Sequence, residues 1–295
     1  MDYAVLAEQQ WHISLRKATG EEYVGPCPFC RGGEDRFHVW AERGNYWCRM
    51  CDTKGWVSES DREFTTQELH DLRLRSLERK QEETERRLTA LEQMARCRDH
   101  LAYHAQLDDD DRAYWNGQGM WDETINRYLL GICYDCPTAR HHASYTIPVI
   151  NRGKLVNIRH RIVDAPSGDK YRPHMAGLGN TLFNADNLYA GHESLIVCEG
   201  EKKSIVLDQW GFPSVGIMGK AGFPPHWAQR FEGFQRVNVA LDPDATDEAH
   251  KLARLFGDRG RVVVLPCKAD DFFLAGGTDQ NFKAFLRWAK KGRAS

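Results

Sequence analysis

Apolar and polar positions change rhythm along this chain, and the last third has the clearest pattern. Short apolar runs at 195–198, 215–218, 237–241 and 262–265 read as strands, with helical stretches at 203–210, 225–230 and 247–256 between them. A last helix is predicted over 282–290. Alternating strands and helices predict a parallel α/β sheet. Upstream, 111–128 reads as helix, broken near Gly117 and Gly119. Runs 146–150 and 155–163 read as strands around an Asn151-Arg152-Gly153 turn. The stretch from 58 to about 107 has neither Gly nor Pro and a thin apolar stripe of Leu69, Leu72, Leu88, Leu91 and Met94, which predicts one or two exposed helices. Its charge run Glu82 to Arg87 reads as a solvated helix face. The first 57 residues are rich in Cys, Gly and aromatic side chains. The expected division is therefore 1–57, a charged helical linker over 58–107, a mixed α+β part over 108–190, and an α/β part over 191–295.

Composition narrows the class. The chain has 295 residues, 41% hydrophobic and 28% charged, which suits about two globular domains. No apolar run approaches the roughly 18 residues of a membrane span, so no membrane partner is expected. The N-terminus carries Asp2 and Glu8 and lacks the basic-then-apolar order of an export signal, so a cytoplasmic location is expected. Net charge is −2, so any nucleic acid must meet local basic patches.

Nine cysteines in such a compartment point to a metal site before disulfides. Cys27-Pro28-Phe29-Cys30 and Cys48-Arg49-Met50-Cys51 are two C-x-x-C knuckles separated by 17 residues. Two such tips place four thiolates around a structural Zn²⁺, with the intervening residues forming the strands of a zinc ribbon. His38 lies between the pairs and reads as a strand histidine. Cys133 and Cys136 stand as a lone pair that cannot complete a tetrahedron, and Cys97, Cys198 and Cys267 read as ordinary thiols. Arg31, Arg36, Arg43, Arg49 and Lys54 alternate with Phe29, Phe37, Trp40, Tyr46, Trp47 and Trp56. That mixture suits single-stranded nucleic acid, and it equally suits rings filling a very small core. His141-His142 reads as surface, and the acids of 108–111 as a helix cap.

Three acidic groups follow predicted strands. Glu199 follows 195–198, Asp242 and Asp244 follow 237–241, and Asp270 and Asp271 follow 262–266. Strand carboxyl ends line one edge of a parallel sheet, where ligands bind. Converging carboxylates call for a hard cation, Mg²⁺ or Mn²⁺, of the kind that shares phosphate oxygens with a substrate.

Glu199-Gly200, Asp242-x-Asp244 and Asp270-Asp271 with Phe273-Leu274, in this order, resemble the TOPRIM domain of DnaG-type primases. Arg112 to Trp115 and Asn126 to Gly131 resemble the start of the primase core, and Ile147-Pro148-Val149 with Gly153 to Val156 its strand pair. Cys27 to Cys30 with Gly32 to Phe37 resembles the zinc ribbon of phage and plasmid primases. The resemblance covers about two-thirds of the chain, roughly 23–57 and 111–277. It implies a zinc ribbon, a mixed subdomain and a TOPRIM sheet. It implies catalytic metal at Glu199, Asp242, Asp244 and Asp270, with Asp271 as the alternative to Asp270. It implies nucleotide or template contacts at Arg161 and Lys170.

The chain departs from the family at three points. Lys203 stands where the family often has an Asp, Asp247 where it usually has Gly, and Lys220 where it has a small polar residue. Lys203 and Lys220 are read as phosphate holders. No G-x-x-x-x-G-K-[ST] occurs in the chain.

The expected activity is synthesis of short RNA primers on single-stranded DNA from ribonucleoside triphosphates, for DNA replication, with a separate helicase as partner. The alternatives are a TOPRIM nuclease and a nucleic-acid-binding protein whose catalysis has decayed, for which Lys203 is the best argument.

Overall fold

The computed structural model describes residues 2–57, 66–165, 170–219 and 222–291. It divides into two compact units, 1–89 and 90–295.

The first unit opens with helix α1 (Tyr3–Trp11), whose first turn is capped by the Asp2 carboxylate, which accepts from the amides of Ala4 and Val5. Strands β1 (Arg16–Lys17), β2 (Glu22–Cys27), β3 (Gly32–Trp40), β4 (Asn45–Cys48) and β5 (Lys54–Trp56) follow as one antiparallel sheet in sequence order. Helix α2 (Thr66–Arg96) begins in this unit and continues into the second. Its predicted solvated face is only partly so. Glu83 accepts hydrogen bonds from Tyr23 at 2.5 Å and from Lys17. Arg79 lies 4.9 Å from the Tyr23 ring and bonds Glu8 at 2.6 Å. A charge run leaves no trace of which member will find a partner distant in sequence. The side chains of Leu69 and Leu72 lie outside the described residues.

The second unit holds α3 (Asp99–Ala105), α4 (Asp109–Gly117) and α5 (Asp122–Arg127), with Asp108 forming the predicted cap of α4. Strands β6 (Gly131–Cys136), β7 (His142–Asn151), β8 (Lys154–Ile162) and β9 (Tyr171–Pro173) form an antiparallel sheet in order. A second sheet takes β10 (Ser194–Glu199), β11 (Ser214–Ile217), β12 (Arg236–Ala240), β13 (Gly260–Val262) and β14 (Lys290–Lys291) in the order β11-β10-β12-β13-β14. Its first four strands are parallel and β14 closes one edge antiparallel. Helices α6 (Glu201–Gln209), α7 (Thr246–Arg254), α8 (Ala269–Leu274) and α9 (Asp279–Trp288) complete it. The predicted helix at 225–230 is instead a 3₁₀ segment, Pro225–Phe231, which the Pro224-Pro225 pair opens without amide donors.

Trp115, Ile125, Leu130 and Ile147 share one buried cluster with Ile196, Ile205, Phe273 and Phe282, so the two sheets of this unit rest on a common core. The chain is thus a mixed α+β protein with an N-terminal four-cysteine cluster, as its pattern predicts. Among the described residues, no helix is long and apolar enough to cross a membrane.

Candidate functional site

The cysteine knuckles come together. Cys27 and Cys48 end β2 and β4, and Cys30 and Cys51 sit in the turns that follow. Their four sulfurs lie within 4.8 Å of one another, with Cys27–Cys51 and Cys30–Cys48 each at 3.9 Å. A tetrahedron with Zn–S bonds of about 2.3 Å has edges of about 3.8 Å, so the donor set fits zinc. Burial pushes the Cys27 thiol up, whereas hydrogen bonds from Thr53 lower Cys51 to about 6.

The ribbon divides its aromatic residues between the two readings of the sequence. Trp11 packs edge-on against Phe37 and Tyr46 at 5.4 and 5.0 Å, and Phe37 is fully buried. Cross-strand partners share a face, and the pairs Trp47↔Lys54 and Asn45↔Trp56 place two tryptophans and a lysine on one side of the sheet. Trp56 is 69% exposed and Trp47 37%. His38 lies 5.4 Å from the Trp47 ring and is held by Glu22 at 2.8 Å, as befits a strand histidine.

The carboxyl edge of the parallel sheet brings the acidic groups to adjacent strand ends. Cys198 pairs with Ala240 in register, so Glu199, the last residue of β10, is one step and Asp242 two steps beyond the last residues that pair β10 with β12. Asp270 is the second residue of α8 and is buried. Gly200 has φ +86°, which frees the chain to turn from β10 into α6. A Cβ on Gly216 would stand 2.5 Å from the Gly200 carbonyl oxygen, so that turn also needs a glycine on β11.

Two lysines of the first turn of α6 stand among these acids. Lys203 Nζ lies 3.0 Å from Asp242 Oδ1 and donates to the Glu199 carbonyl at 3.2 Å. Lys202 Nζ lies 3.8 Å from Asp270 Oδ2 and donates to Gln118 at 2.5 Å. Burial opposes the charge of both. For Lys203 the Asp270 and Asp242 carboxylates outweigh it and raise its pKa; for Lys202 burial wins and lowers it. Among the described residues, Asp242 Oδ1 meets only the Lys203 ammonium, and Asp270 Oδ1 is a buried oxygen without a hydrogen-bond partner. Such hard oxygens suit a divalent cation. Among the described residues, however, the acids at this edge do not gather within 4.8 Å of one another as the four cysteines do. Asp244 and Asp271 are exposed beside the edge, and Asp247 is exposed in the first turn of α7.

Arg161 reaches Gln118 at 3.4 Å and lies 5.5 Å from the Tyr114 ring. Gln118 thereby links it to Lys202. Lys170 is exposed just before β9. Lys220 lies outside the described residues. The sequence reading missed Lys202, Gln118, Lys268 and the Arg159–Glu201 pair. That pair is buried at 3.1 Å, Lys268 stands 4.0 Å from Asp242, and Tyr171 pairs with Arg161 across β8 and β9. Arg159 and Arg161 share a face by the alternation of β8, but nothing in the sequence marks Glu201 as the acid that meets Arg159.

No family model matches the chain. The Gene 57 protein of Mycobacterium phage D29 is 31% identical over 111 residues, covering 37% of this chain and 71% of that protein. Among solved structures, the zinc-binding and RNA polymerase domains of the Aquifex aeolicus primase align over 97% of this chain and 83% of theirs, with TM-score 0.52 and 15% identity. A DnaG primase catalytic domain bound to single-stranded DNA aligns over 70% of this chain and 80% of its own, with TM-score 0.55 and 18% identity. The E. coli primase catalytic core covers 65% and 78%, with TM-score 0.51 and 17% identity. The chain therefore has the DnaG-type primase fold and belongs to the family of the phage D29 Gene 57 protein.

Proposed function

We propose that this protein is a primase, a nucleotidyltransferase that makes short RNA primers on single-stranded DNA for replication. The observation that carries the reading is the meeting of Glu199, Asp242 and Asp270 at one sheet edge beside Lys202, Lys203 and, through Gln118, Arg161. On this reading the sheet of β10 to β13 is the TOPRIM element. Glu199, Asp242 and Asp270 hold Mg²⁺ or Mn²⁺, with Asp244 and Asp271 adjoining. The bound cation would stabilise charge on the attacking and leaving oxygens of the transfer to the α-phosphate.

The chain's own groups do the rest. Lys203 stays charged in its acidic setting and holds a triphosphate oxygen when nucleotide enters, releasing Asp242 to the metal. Arg161, braced by Gln118 and Tyr114, meets template phosphate, with Lys170 and Lys220 as further cations. The exposed Trp47, Lys54 and Trp56 face of the ribbon stacks on template bases and takes phosphate. A separate replicative helicase is the expected partner, and the phage relative supports action in the bacterial cytoplasm.

The test incubates the full chain with single-stranded DNA, four ribonucleotides and Mg²⁺ or Mn²⁺, beside Asp242→Ala. Labelled oligomers from the parent, reduced at least about a hundredfold in the variant, support the reading. DNA cleavage without synthesis favours a nuclease. Binding without either reaction favours a decayed template binder, for which the Lys203–Asp242 ion pair is the structural argument.

A further inference from the structure

A second group of metal-type side chains lies in the second unit, built from residues that belong to neither the ribbon nor the acidic edge. Cys97, Asp99 and His174 each turn one donor atom to a common point, and the three atoms lie within 4.8 Å of one another. His174 Nε2 is 3.9 Å from Cys97 Sγ and 3.3 Å from Asp99 Oδ2. We propose that these residues form a second zinc site, with three protein ligands and water in the fourth position.

The distances carry the first part of the case. Bonds of about 2.3 Å to sulfur and about 2.0–2.1 Å to nitrogen and oxygen give tetrahedral edges of about 3.6 Å for S···N and about 3.3 Å for N···O. The observed edges are 3.9 and 3.3 Å, so closure on the ion needs a shift of a few tenths of an ångström. Mixed sulfur, imidazole and carboxylate donors suit borderline Zn²⁺ and exclude the Mg²⁺ of the acidic edge.

The supporting contacts carry the second part. The same Nε2 faces both other donors, while His174 Nδ1 lies 2.9 Å from His160 Nε2. His160 Nδ1 in turn lies 3.0 Å from Ser144 Oγ and 3.2 Å from Cys136 Sγ. One tautomer satisfies the whole relay: His174 donates from Nδ1 to His160, His160 donates from Nδ1, and His174 Nε2 keeps its lone pair for a metal. A ligating histidine is commonly oriented in this way through its second nitrogen. The His174 backbone is fixed on both sides, its amide donating to Asn157 at 3.2 Å and its carbonyl accepting from Thr138 at 3.0 Å. The Asp99 amide points at Cys97 Sγ at 3.5 Å and supports a thiolate there. On binding, the Cys97 thiol gives its proton to solvent and forms the Zn–S bond. His174 is 13% exposed and Asp99 53%, so the open position faces water on the Asp99 side. The ion would staple the start of α3 to the end of β9.

The test uses the full chain with its ribbon zinc in place, Zn²⁺ for stoichiometry and Co²⁺ as the spectroscopic probe. The expected result is two zinc ions per chain in the parent. Co²⁺ added to chain carrying only the ribbon zinc should give tetrahedral d–d bands with the charge-transfer intensity of one thiolate. Cys97→Ser should abolish that charge-transfer band, and His174→Ala should return the zinc content to one. Asp99→Asn, at a half-exposed side chain, keeps the test open if the buried variants fail to fold, and should weaken Co²⁺ binding at least about tenfold. One zinc per chain in the parent under excess zinc, or a Co²⁺ spectrum unchanged by Cys97→Ser or Asp99→Asn, overturns the site.

Discussion

The four-cysteine cluster and the acidic sheet edge are both assembled from strand ends, yet they differ in how their charge is met. The thiols close on one point with 3.9 Å edges, and beside one another they meet the neutral Thr53 hydroxyl, 3.1 Å from Cys51. The carboxylates of Asp242 and Asp270 are each met by a lysine of α6, and among the described residues the acids of this edge form no cluster of three or more donors like that of the cysteines. The first arrangement is made for one permanent ion. On the proposed function, the second would hold its charge in balance until substrate or cation exchanges partners with a lysine. Permanence and exchange therefore show, respectively, as the absence and the presence of internal counter-charge.

The largest effect expected from this contrast is at the cysteines. Cys48→Ala removes a buried ligand from a unit whose sheet is small, and structural zinc contributes about 10–16 kcal/mol in small finger peptides. The variant should lose the ribbon zinc and the near-ultraviolet signal of the Trp11–Phe37–Tyr46 cluster. Retention of that signal without zinc would make the cluster a packing feature. Next is the buried Arg159–Glu201 pair, with side chains 11% and 9% exposed. Glu201→Ala strands the guanidinium and should cost about 3–5 kcal/mol, a fall in Tm of roughly 10 °C for the second unit, read by calorimetry. A change of only a degree or two would mean that water replaces the partner.

How legible each region was follows from its sequence separation. The ribbon ligands sit in two four-residue knuckles, so spacing alone reports their geometry. Strands β10 to β12 were legible because buried parallel strands are continuous apolar runs, whereas β13 (Gly260–Val262) meets the predicted run 262–265 only at Val262, since the apolar residues after it continue beyond the paired strand. The acids that follow them were legible from topology, since parallel strands end at one edge. Lys203 was legible as a phosphate holder from its place in the resemblance, but its pairing with Asp242 and the part of Lys202 were not, because they appear only when the register of β10 and β12 places Asp242 beside the start of α6. Cys97 and His174 were missed for the same reason. They stand far apart in sequence and carry no knuckle spacing, and only the pairing of β8 with β9 brings His174 to the helix start.

A smaller effect sharpens the contrast at the acidic edge. Lys203→Met removes the ammonium 3.0 Å from Asp242, where both side chains are little exposed. A unit charge near 4 Å is worth about 1–4 kcal/mol between water and a protein surface, so Mn²⁺ affinity should rise at least about fivefold. Calorimetric titration reads it. Unchanged or weaker affinity would show that Lys203 does not compete with the cation.

The smallest expected effect tests whether local counter-charge also matters where no metal is involved. Burial works against the charge of Glu83, and the hydrogen bonds from Lys17 and Tyr23 outweigh it, holding its carboxyl below the ordinary glutamate value. A carboxyl depressed in the folded state contributes stability above its unfolded pKa of about 4.3 and loses it as pH falls through the folded value. Because the group is partly exposed, the contribution is about 0.5–1 kcal/mol, a few degrees in Tm for a unit of this size. Glu83→Gln keeps an acceptor for Tyr23 and removes only the charge. With zinc saturating, the parent should therefore melt a few degrees above Glu83→Gln at pH 6, and the gap should close on acidification below about pH 4. A gap that persists at low pH would assign the Glu83 contacts to packing of α2 on Tyr23, and the counter-charge argument would then hold only at the buried acidic edge.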